Sequence, residues 1–456
     1  MSIESAIQWY DQHRDTFLEQ LKTFLRFETI SAQSAHDQDI ADCAAWLRDF
    51  LNGAGLQARI MPTKGHPVVY ADSGPTEPAD ALTILLYGHY DVQPPGELEL
   101  WDSPPFEPTI RNGTIFARGS TDDKGQMMTH LAALKSLHEK SHHLPIRIKC
   151  LYEGEEETGS PHLAEFVKEH AKLLACDYVL LSDTTRFDDT TPAIAYASRG
   201  LVYKEITLQG PARDLHSGVY GGAVANPANV LAGIIASLHD ADGRVTIPGF
   251  YDDVRPLTQE ERDWLAQTGL TEAEMLAKTG SPAATGEPGF SAAARCTARP
   301  SLDVNGLLTG YTAEGAATII PSTAMAKVSM RLVAHQDPEK ISAAFDRAVR
   351  AVCPPTVKLS IQEHSHSAAY VGATDSPGMR AAVNALTAGY GRPPVMIREG
   401  GTLPILPMFK QVLGADSLMV GFADPDSNLH SPNEFFHIRD LEQGTRCILR
   451  LLDTIA

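Results

Sequence analysis

Between residues 4 and 27, Tyr10, Phe17, Leu21, Phe24 and Leu25 recur at helical spacing, which predicts an amphipathic helix. A second helix is expected from about Asp39 to Leu51, where Ile40, Ala44, Leu47, Phe50 and Leu51 share a face before "NGAG" stops it. Short apolar runs then alternate with helical patterns. Leu82 to Leu86 reads as a buried strand over 82–87, too short for a helix and stopped by Gly88 and Pro94-Pro95. A helix over about 125–139, a strand over 146–153, a helix near 162–174 and a strand over 178–182 follow. This rhythm predicts a largely parallel sheet covered on both faces.

After about residue 200 the rhythm changes. "VYKEITLQ" (202–209) alternates as a strand and 226–239 as a helix; "ATIIP" and "AMAKVSMRLVA" read as strands, "PEKISAAFDRAVRAV" as a helix and "TVKLSIQE" as a strand. In order this is β-α-β-β-α-β, interrupted by a Pro/Gly-containing segment at about 244–305. From "DSPGMRAAVNALTAGYG" the chain turns helical again, with a last strand "SLMVGF" (417–422). The expected fold is therefore α/β, a mixed, mostly parallel sheet sandwiched by helices, with an inserted α+β domain. The expected boundaries are 1–199, 200–371 and 372–456, the two ends forming one domain.

Composition narrows the partners. The chain has 456 residues, 43% apolar and 21% charged, with net charge −19 and no repeat or low-complexity segment. The longest cationic cluster, "RIK" (147–149), lies inside a strand pattern, so no nucleic-acid partner is expected. Cys43, Cys150, Cys176, Cys296, Cys353 and Cys447 are far apart with no CxxC, which suits reduced thiols and a cytoplasmic location. The acidic start "MSIESAIQWYDQHRD" lacks a leader pattern, and no run approaches the ~18 apolar residues of a membrane helix, so no membrane partner is expected.

Chemistry gathers at the strand ends, where ligand sites of α/β sheets lie. The first strand delivers His89 and Asp91; "RGSTDDKG" brings Asp122 and Asp123, "EGEEETGS" a run of glutamates, "LLSDTT" Asp183 and "SNLHSPNE" His430. Singly, these are ordinary loop acids, helix caps and turn formers; their convergence on one sheet edge is not ordinary. Crowded carboxylates cannot all stay ionised without compensation. Divalent metal supplies it, and a His/Asp/Glu set without Cys suits Zn²⁺, Mn²⁺ or Co²⁺. One carboxylate bridging two ions about 3.5–4 Å apart would make a hydrolytic two-metal site.

"GHYDVQPP", "WDSPPF", "RGSTDDKG", "EGEEETGS", "DLHSGVYGG", "REGGTLP" and "HSPNE" occur in this order over about residues 20–440. Together they resemble the carnosinase and cytosolic non-specific dipeptidase family of dinuclear metallopeptidases. The resemblance implies a catalytic domain with an inserted βαββαβ lid used for homodimerisation. It implies His89, Asp122 and Asp183 on one metal, Asp122, Glu157 and His430 on the second, and a cis bond after Asp122. Asp91 would orient His89, and Glu156 would be the base for a water bridging the metals. In the glutamate run, Glu155–Glu156 competes with Glu156–Glu157; Gly154 and Gly159-Ser160 align with the second choice. By the same resemblance His216 would act as an oxyanion donor across the dimer. Arg331 and Thr318 would hold the substrate's free carboxylate, and Gly400, Gly401 and Thr402 would add backbone and hydroxyl contacts, with Thr402 standing where many relatives carry Ser.

The expected function is hydrolysis of dipeptides or short peptides with a free carboxyl terminus. An N-acyl amino-acid deacylase or a carboxypeptidase could use the same site, and a non-catalytic binding protein is the reading of another class. A two-metal phosphoesterase would want cationic clamps that these loops, Arg118 and Lys124 apart, do not supply. "SHHLP" (141–145) and "HSHS" (364–367) are expected to be exposed loops without carboxylate partners, and Arg398 either binds a carboxylate or anchors its loop.

Overall fold

A computed structural model describes residues 3–76, 78, 81–140 and 144–455. The chain divides into two compact units, one of Met1–Tyr196, Gly372–Ile397 and Met408–Ala456, the other of Ala197–Val371 and Arg398–Pro407.

In the first unit the sheet runs in the order Gln57–Met61, Val68–Asp72, Arg147–Glu153, Thr83–His89, Tyr178–Leu181, Asp416–Val420, Ala193–Ser198, with Val395–Glu399 also on the last of these. Its four central strands are parallel, and those at the flanks are antiparallel. The Thr83–His89 strand is buried over nearly its whole length, as a strand flanked by parallel neighbours must be. Helix Lys124–Glu139 packs on it, with Ile3–Leu25 and Ile438–Ile455 against that helix in turn. The expected helices and parallel strands are present; the helical pattern near 162–174 forms two pieces, Leu163–Glu169 and Ala171–Leu174.

The second unit is a four-stranded antiparallel sheet in the order Ser301–Thr309, Thr323–Leu332, Gly200–Gln209, Lys358–Ser367. Helices Pro227–Ala236 and Pro338–Val352 close one face over Val202, Ile206, Ala326 and Val328, with Phe345 of the second helix in the core between them. One strand differs from the sequence reading. The second strand of the β-α-β-β-α-β unit is Ser301–Thr309, whereas "ATIIP" contributes only Ile319–Ile320, paired with Leu215–His216 in a separate ribbon. Ser301–Thr309 hides its alternation because Gly306 follows a register shift and Val304, Leu307 and Leu308 face solvent while only Leu302 is buried. The 244–305 segment carries helices Gln259–Gln267, Glu272–Thr279 and Ala292–Thr297, the first two started by capping boxes from Thr258 with Glu261 and Thr271 with Glu274.

Candidate metal centre

Four main-chain segments place the acids of the first unit. The parallel strand ends at His89, whose imidazole is fully buried. Close approach explains Gly88, since a Cβ there would lie 2.8 Å from Asp123 Oδ2. The Asp122–Asp123 bond is cis, as the resemblance implied. His430 sits at φ = +57°, in the left-handed region that side chains seldom occupy.

Asp122 lies between two histidines. Its Oδ1 is 3.0 Å from His89 Nε2 and its Oδ2 is 2.8 Å from His430 Nε2. Asp183 Oδ2 stands 3.8 Å from His89 Nε2, and Glu157 Oε2 stands 3.4 Å from His430 Nε2. Ligand atoms of His89, Asp122 and Asp183 converge within 4.8 Å of one another, and so do those of Asp122, Glu157 and His430. Glu155 turns away to pair with His162 at 2.9 Å. Asp123 is buried, with its Oδ1 unbonded and its Oδ2 3.4 Å from the His89 main-chain N–H.

Asp91 has more tasks than orienting an imidazole. The nearest acceptor to His89 Nδ1 is the Asp91 main-chain oxygen at 3.2 Å, with the carboxylate at 3.5 Å. That carboxylate accepts from the Glu156 N–H (3.2 Å), the Glu157 N–H (3.0 Å) and the Ser31 hydroxyl (2.6 Å). It therefore fixes the turn Glu156–Thr158 that presents the glutamates. The Glu156 carboxylate itself has no hydrogen-bond partner among the described residues.

Two supports escaped the sequence reading. Buried Glu434 accepts the N–H groups of Thr121 (2.8 Å) and Asp122 (3.1 Å) on one oxygen and Gly119 N–H (3.0 Å) and Arg118 (2.6 Å) on the other. It pins the loop that carries Asp122; its signal was the last letter of "HSPNE". Gln93 donates to Glu157 Oε2 at 2.9 Å, and only its place after "HYDV" marked it.

The electrostatics show acids short of positive charge. Burial, then Asp122, pushes Asp183 well above the usual carboxylate range; the same two causes bring Glu157 up to about 8. Burial also raises Glu156. Asp122 goes the other way: although burial opposes it, the hydrogen bond with His430 and the adjacent His89 imidazole hold its carboxyl low. His89 Nε2, buried and without a well-directed hydrogen bond, faces these acids. Such a donor set fits a pair of divalent cations sharing Asp122. A third group, Asp189, Asp424 and His437, also converges, but Arg439 contacts Asp189 and Arg186 lies 3.0 Å from Asp424. Guanidinium groups already compensate it.

The second unit holds the remaining candidates. Exposed His216 accepts the Gly218 N–H on Nδ1 at 2.9 Å, and Thr318 accepts the Ser217 N–H through its main-chain oxygen at 2.9 Å. Arg331 donates to the Thr402 hydroxyl at 2.7 Å. Arg199, absent from the sequence reading, donates Nε–H to the Gly400 oxygen (2.8 Å) and its main-chain N–H to the Gly401 oxygen (3.0 Å). Arg398 is an anchor, buried 3.1 Å from Glu261. "HSHS" is not a loop: it ends the strand Lys358–Ser367, and His364 and His366 lie 3.3 and 2.6 Å from Glu205 and Glu363. Ser141, His142 and His143 of "SHHLP" lie outside the described residues.

Residues 85–454 match the model of peptidase family M20/M25/M40. The chain is 28% identical to the Cys-Gly metallodipeptidase of Saccharomyces cerevisiae over 99% of this chain and 98% of that protein. It is 28% identical to the human Beta-Ala-His dipeptidase over 97% of this chain and 91% of that protein. Among solved structures, an M20 family metallo-carboxypeptidase of Sulfolobus solfataricus superposes with TM-score 0.85 at 34% identity, covering 96% of this chain and 99% of that one. The di-peptidase Dug1p of Saccharomyces cerevisiae does so at 0.81 and 28%, covering 100% and 98%.

Proposed function

This chain belongs to peptidase family M20/M25/M40, and from that premise we propose that it hydrolyses the peptide bond of dipeptides with a free carboxyl terminus. The observation that carries the proposal is the pair of three-residue donor sets sharing Asp122. His89, Asp122 and Asp183 would hold one divalent cation and Asp122, Glu157 and His430 the other, zinc being the first choice and manganese or cobalt the alternatives. When bound, the two cations polarise the scissile carbonyl and lower the pKa of water toward about 7.

The chain's own residues do the rest. Glu156, held by Asp91 through its N–H and unbonded at its carboxylate, takes a proton from the attacking water. It then returns that proton to the leaving amine. Because His216 Nδ1 accepts the Gly218 N–H, Nε2 is the ring nitrogen left to donate. The Nε2–H is the proposed oxyanion donor, offered to the site of a partner copy. Arg331, with Thr318, Gly401 and Thr402, is proposed to hold the substrate carboxylate, a task suited to a planar guanidinium.

A homodimer through the inserted unit is part of this proposal. Its edge strand Ser301–Thr309 exposes Val304 (40%), Leu307 (59%) and Leu308 (60%), an apolar edge that a second copy would cover. The cytoplasmic assignment rests on six unpaired cysteines. No helix among the described residues is long and apolar enough to cross a membrane.

The test is hydrolysis by EDTA-stripped enzyme reloaded with Zn²⁺ or Mn²⁺, on free dipeptides, their C-terminal amides, longer peptides and N-acyl amino acids. The proposal expects cleavage of free dipeptides, lost on amidation. Cleavage confined to acyl amino acids would move the chain to the deacylases. The solved carboxypeptidase at 34% identity favours a second reading, which preferred cleavage of longer peptides would establish.

A further inference from the structure

Of the two capping boxes in the 244–305 segment, one is ordinary. Glu274, the box glutamate of helix Glu272–Thr279, is exposed to solvent. Its counterpart in helix Gln259–Gln267, Glu261, is buried. A buried carboxylate costs free energy that one capping bond does not offset, so a second partner is required. One oxygen of Glu261 serves the box, accepting the Thr258 main-chain N–H at 2.8 Å. The other faces two guanidinium groups, Arg255 at 2.5 Å and Arg398 at 3.1 Å. Burial opposes ionisation, but the bonds to Arg255 and Thr258 and the nearby Arg398 hold the carboxyl below its ordinary range.

Arg398 is the unexpected partner, 137 residues further along the chain and itself buried. Its Nε–H also points at the Thr297 carbonyl, 3.4 Å away, in the last turn of helix Ala292–Thr297. Carbonyls there lack helical partners and carry partial negative charge. Two helices of the segment therefore close on one guanidinium. Two residues after Arg398 the chain reaches Gly400 and Gly401. A Cβ at Gly400 would lie 3.0 Å from the Cys296 oxygen, so the loop runs against the end of the same helix. Arg199 then braces the Gly400 and Gly401 oxygens, and Thr402 meets Arg331 at 2.7 Å.

We propose that Glu261 is a positioning residue for substrate binding: through Arg398 it sets the Gly-Gly loop, and the 244–305 segment is the template that keeps Thr402 in register with Arg331. Glu261 acts on the loop and not on the substrate. A binding group displaced by a fraction of an ångström loses much of its contact, so the position of the loop bears directly on affinity. A salt bridge that served only the fold of the segment would matter for stability and treat all substrates alike. The proposal rests on the reading that Arg331 and Thr402 hold the substrate carboxylate, and it adds the device that places them.

The experiment uses Glu261→Gln, because glutamine serves a capping box as glutamate does while removing the charge that Arg398 meets. KM and kcat are measured on metal-loaded enzyme with alanyl-alanine and with its C-terminal amide. KM for alanyl-alanine is expected to rise about tenfold, within the range of a coupled pair, with kcat, the amide's KM and both metals unchanged. Adding Arg398→Gln to that variant should change nothing further. Thr258→Ala, which weakens the cap and leaves the ion pair, should lower the melting temperature and move neither KM. Arg398→Lys keeps the charge without the planar fork and should show the same split at a smaller size, which decides the matter if Glu261→Gln does not fold. Equal rises for both substrates, or an unchanged KM for alanyl-alanine, would overturn the proposal. If wild type treats the free dipeptide and its amide alike, the carboxylate reading of Arg331 falls by itself. Amide hydrogen exchange over residues 399–403 then still decides Glu261: faster exchange in Glu261→Gln supports it, and unchanged exchange overturns it.

Discussion

At the sheet edge of the first unit, Asp122, Glu156, Glu157 and Asp183 crowd together, whereas in the second unit Arg199 and Arg331 meet with no carboxylate in salt-bridge contact among the described residues. The two regions are also built differently. The acids sit at the ends of parallel strands and are held from behind: Asp91 grips the glutamate turn and Glu434 grips the Asp122 loop. Arg331 belongs to an antiparallel sheet, and Arg199, between the strands Ala193–Ser198 and Gly200–Gln209, braces a Gly-Gly loop. Each region lacks the charge that its proposed ligand carries, cations in the first and a carboxylate in the second. The first has its loops pinned by hydrogen bonds before anything binds. The second has fewer constraints, as suits a region that must admit different side chains.

Breaking the first region should have the largest effect. Glu156→Gln should lower kcat by about 10²- to 10⁴-fold while two metals remain bound, as elemental analysis of the purified protein would show. Loss of metal instead would mean that the glutamate register is Glu155–Glu156. Glu434→Gln touches neither metal nor substrate, yet should weaken metal affinity by about 10- to 100-fold in a chelator competition, because it loosens the Asp122 loop. Retained affinity would deny the loop its anchor.

Breaking the second region should cost less and show in KM. Arg331→Lys should lower kcat/KM on free dipeptides by about tenfold, with little change on C-terminal amides and full metal content. Equal losses on both substrates would point to a structural arginine. The smallest effect concerns stability. His130 is buried 2.9 Å from the Ser182 hydroxyl, and burial pulls it down to about 3. Its folded pKa lies below the unfolded value, so the stability it contributes is present above about pH 6.5 and is lost as pH falls toward 3. For the metal-free protein this amounts to about 2 kcal/mol by pH 5, and urea unfolding of His130→Phe should show that slope reduced by one proton.

The difference between the regions also governs what the sequence reveals. The metal-centre candidates follow apolar runs with clear ends, so His89, Asp183 and the glutamates could be placed from "LLYGH", "LLSDTT" and "EGEEETGS". Glu434 and Gln93 act through main-chain or side-chain bonds to residues distant in sequence, which no local pattern encodes. In the second unit local pattern misleads. "ATIIP" looks like a sheet strand but has only the two-residue ribbon for a partner, while Ser301–Thr309, interrupted by "NG", is the true member. Arg199 is invisible for another reason: it acts through the Gly400 and Gly401 carbonyls, some 200 residues away in the chain, and that pairing is a property of the folded chain.

The central claim is that Asp122 serves two cations at once, and metal stoichiometry tests it most directly. Wild type, His89→Ala, His430→Ala and Asp122→Asn would be loaded with Zn²⁺, desalted and analysed for metal per chain. Two ions in wild type, one in each histidine variant and fewer than one in Asp122→Asn is the predicted result. Two ions retained in Asp122→Asn, or a single ion in wild type, would contradict it.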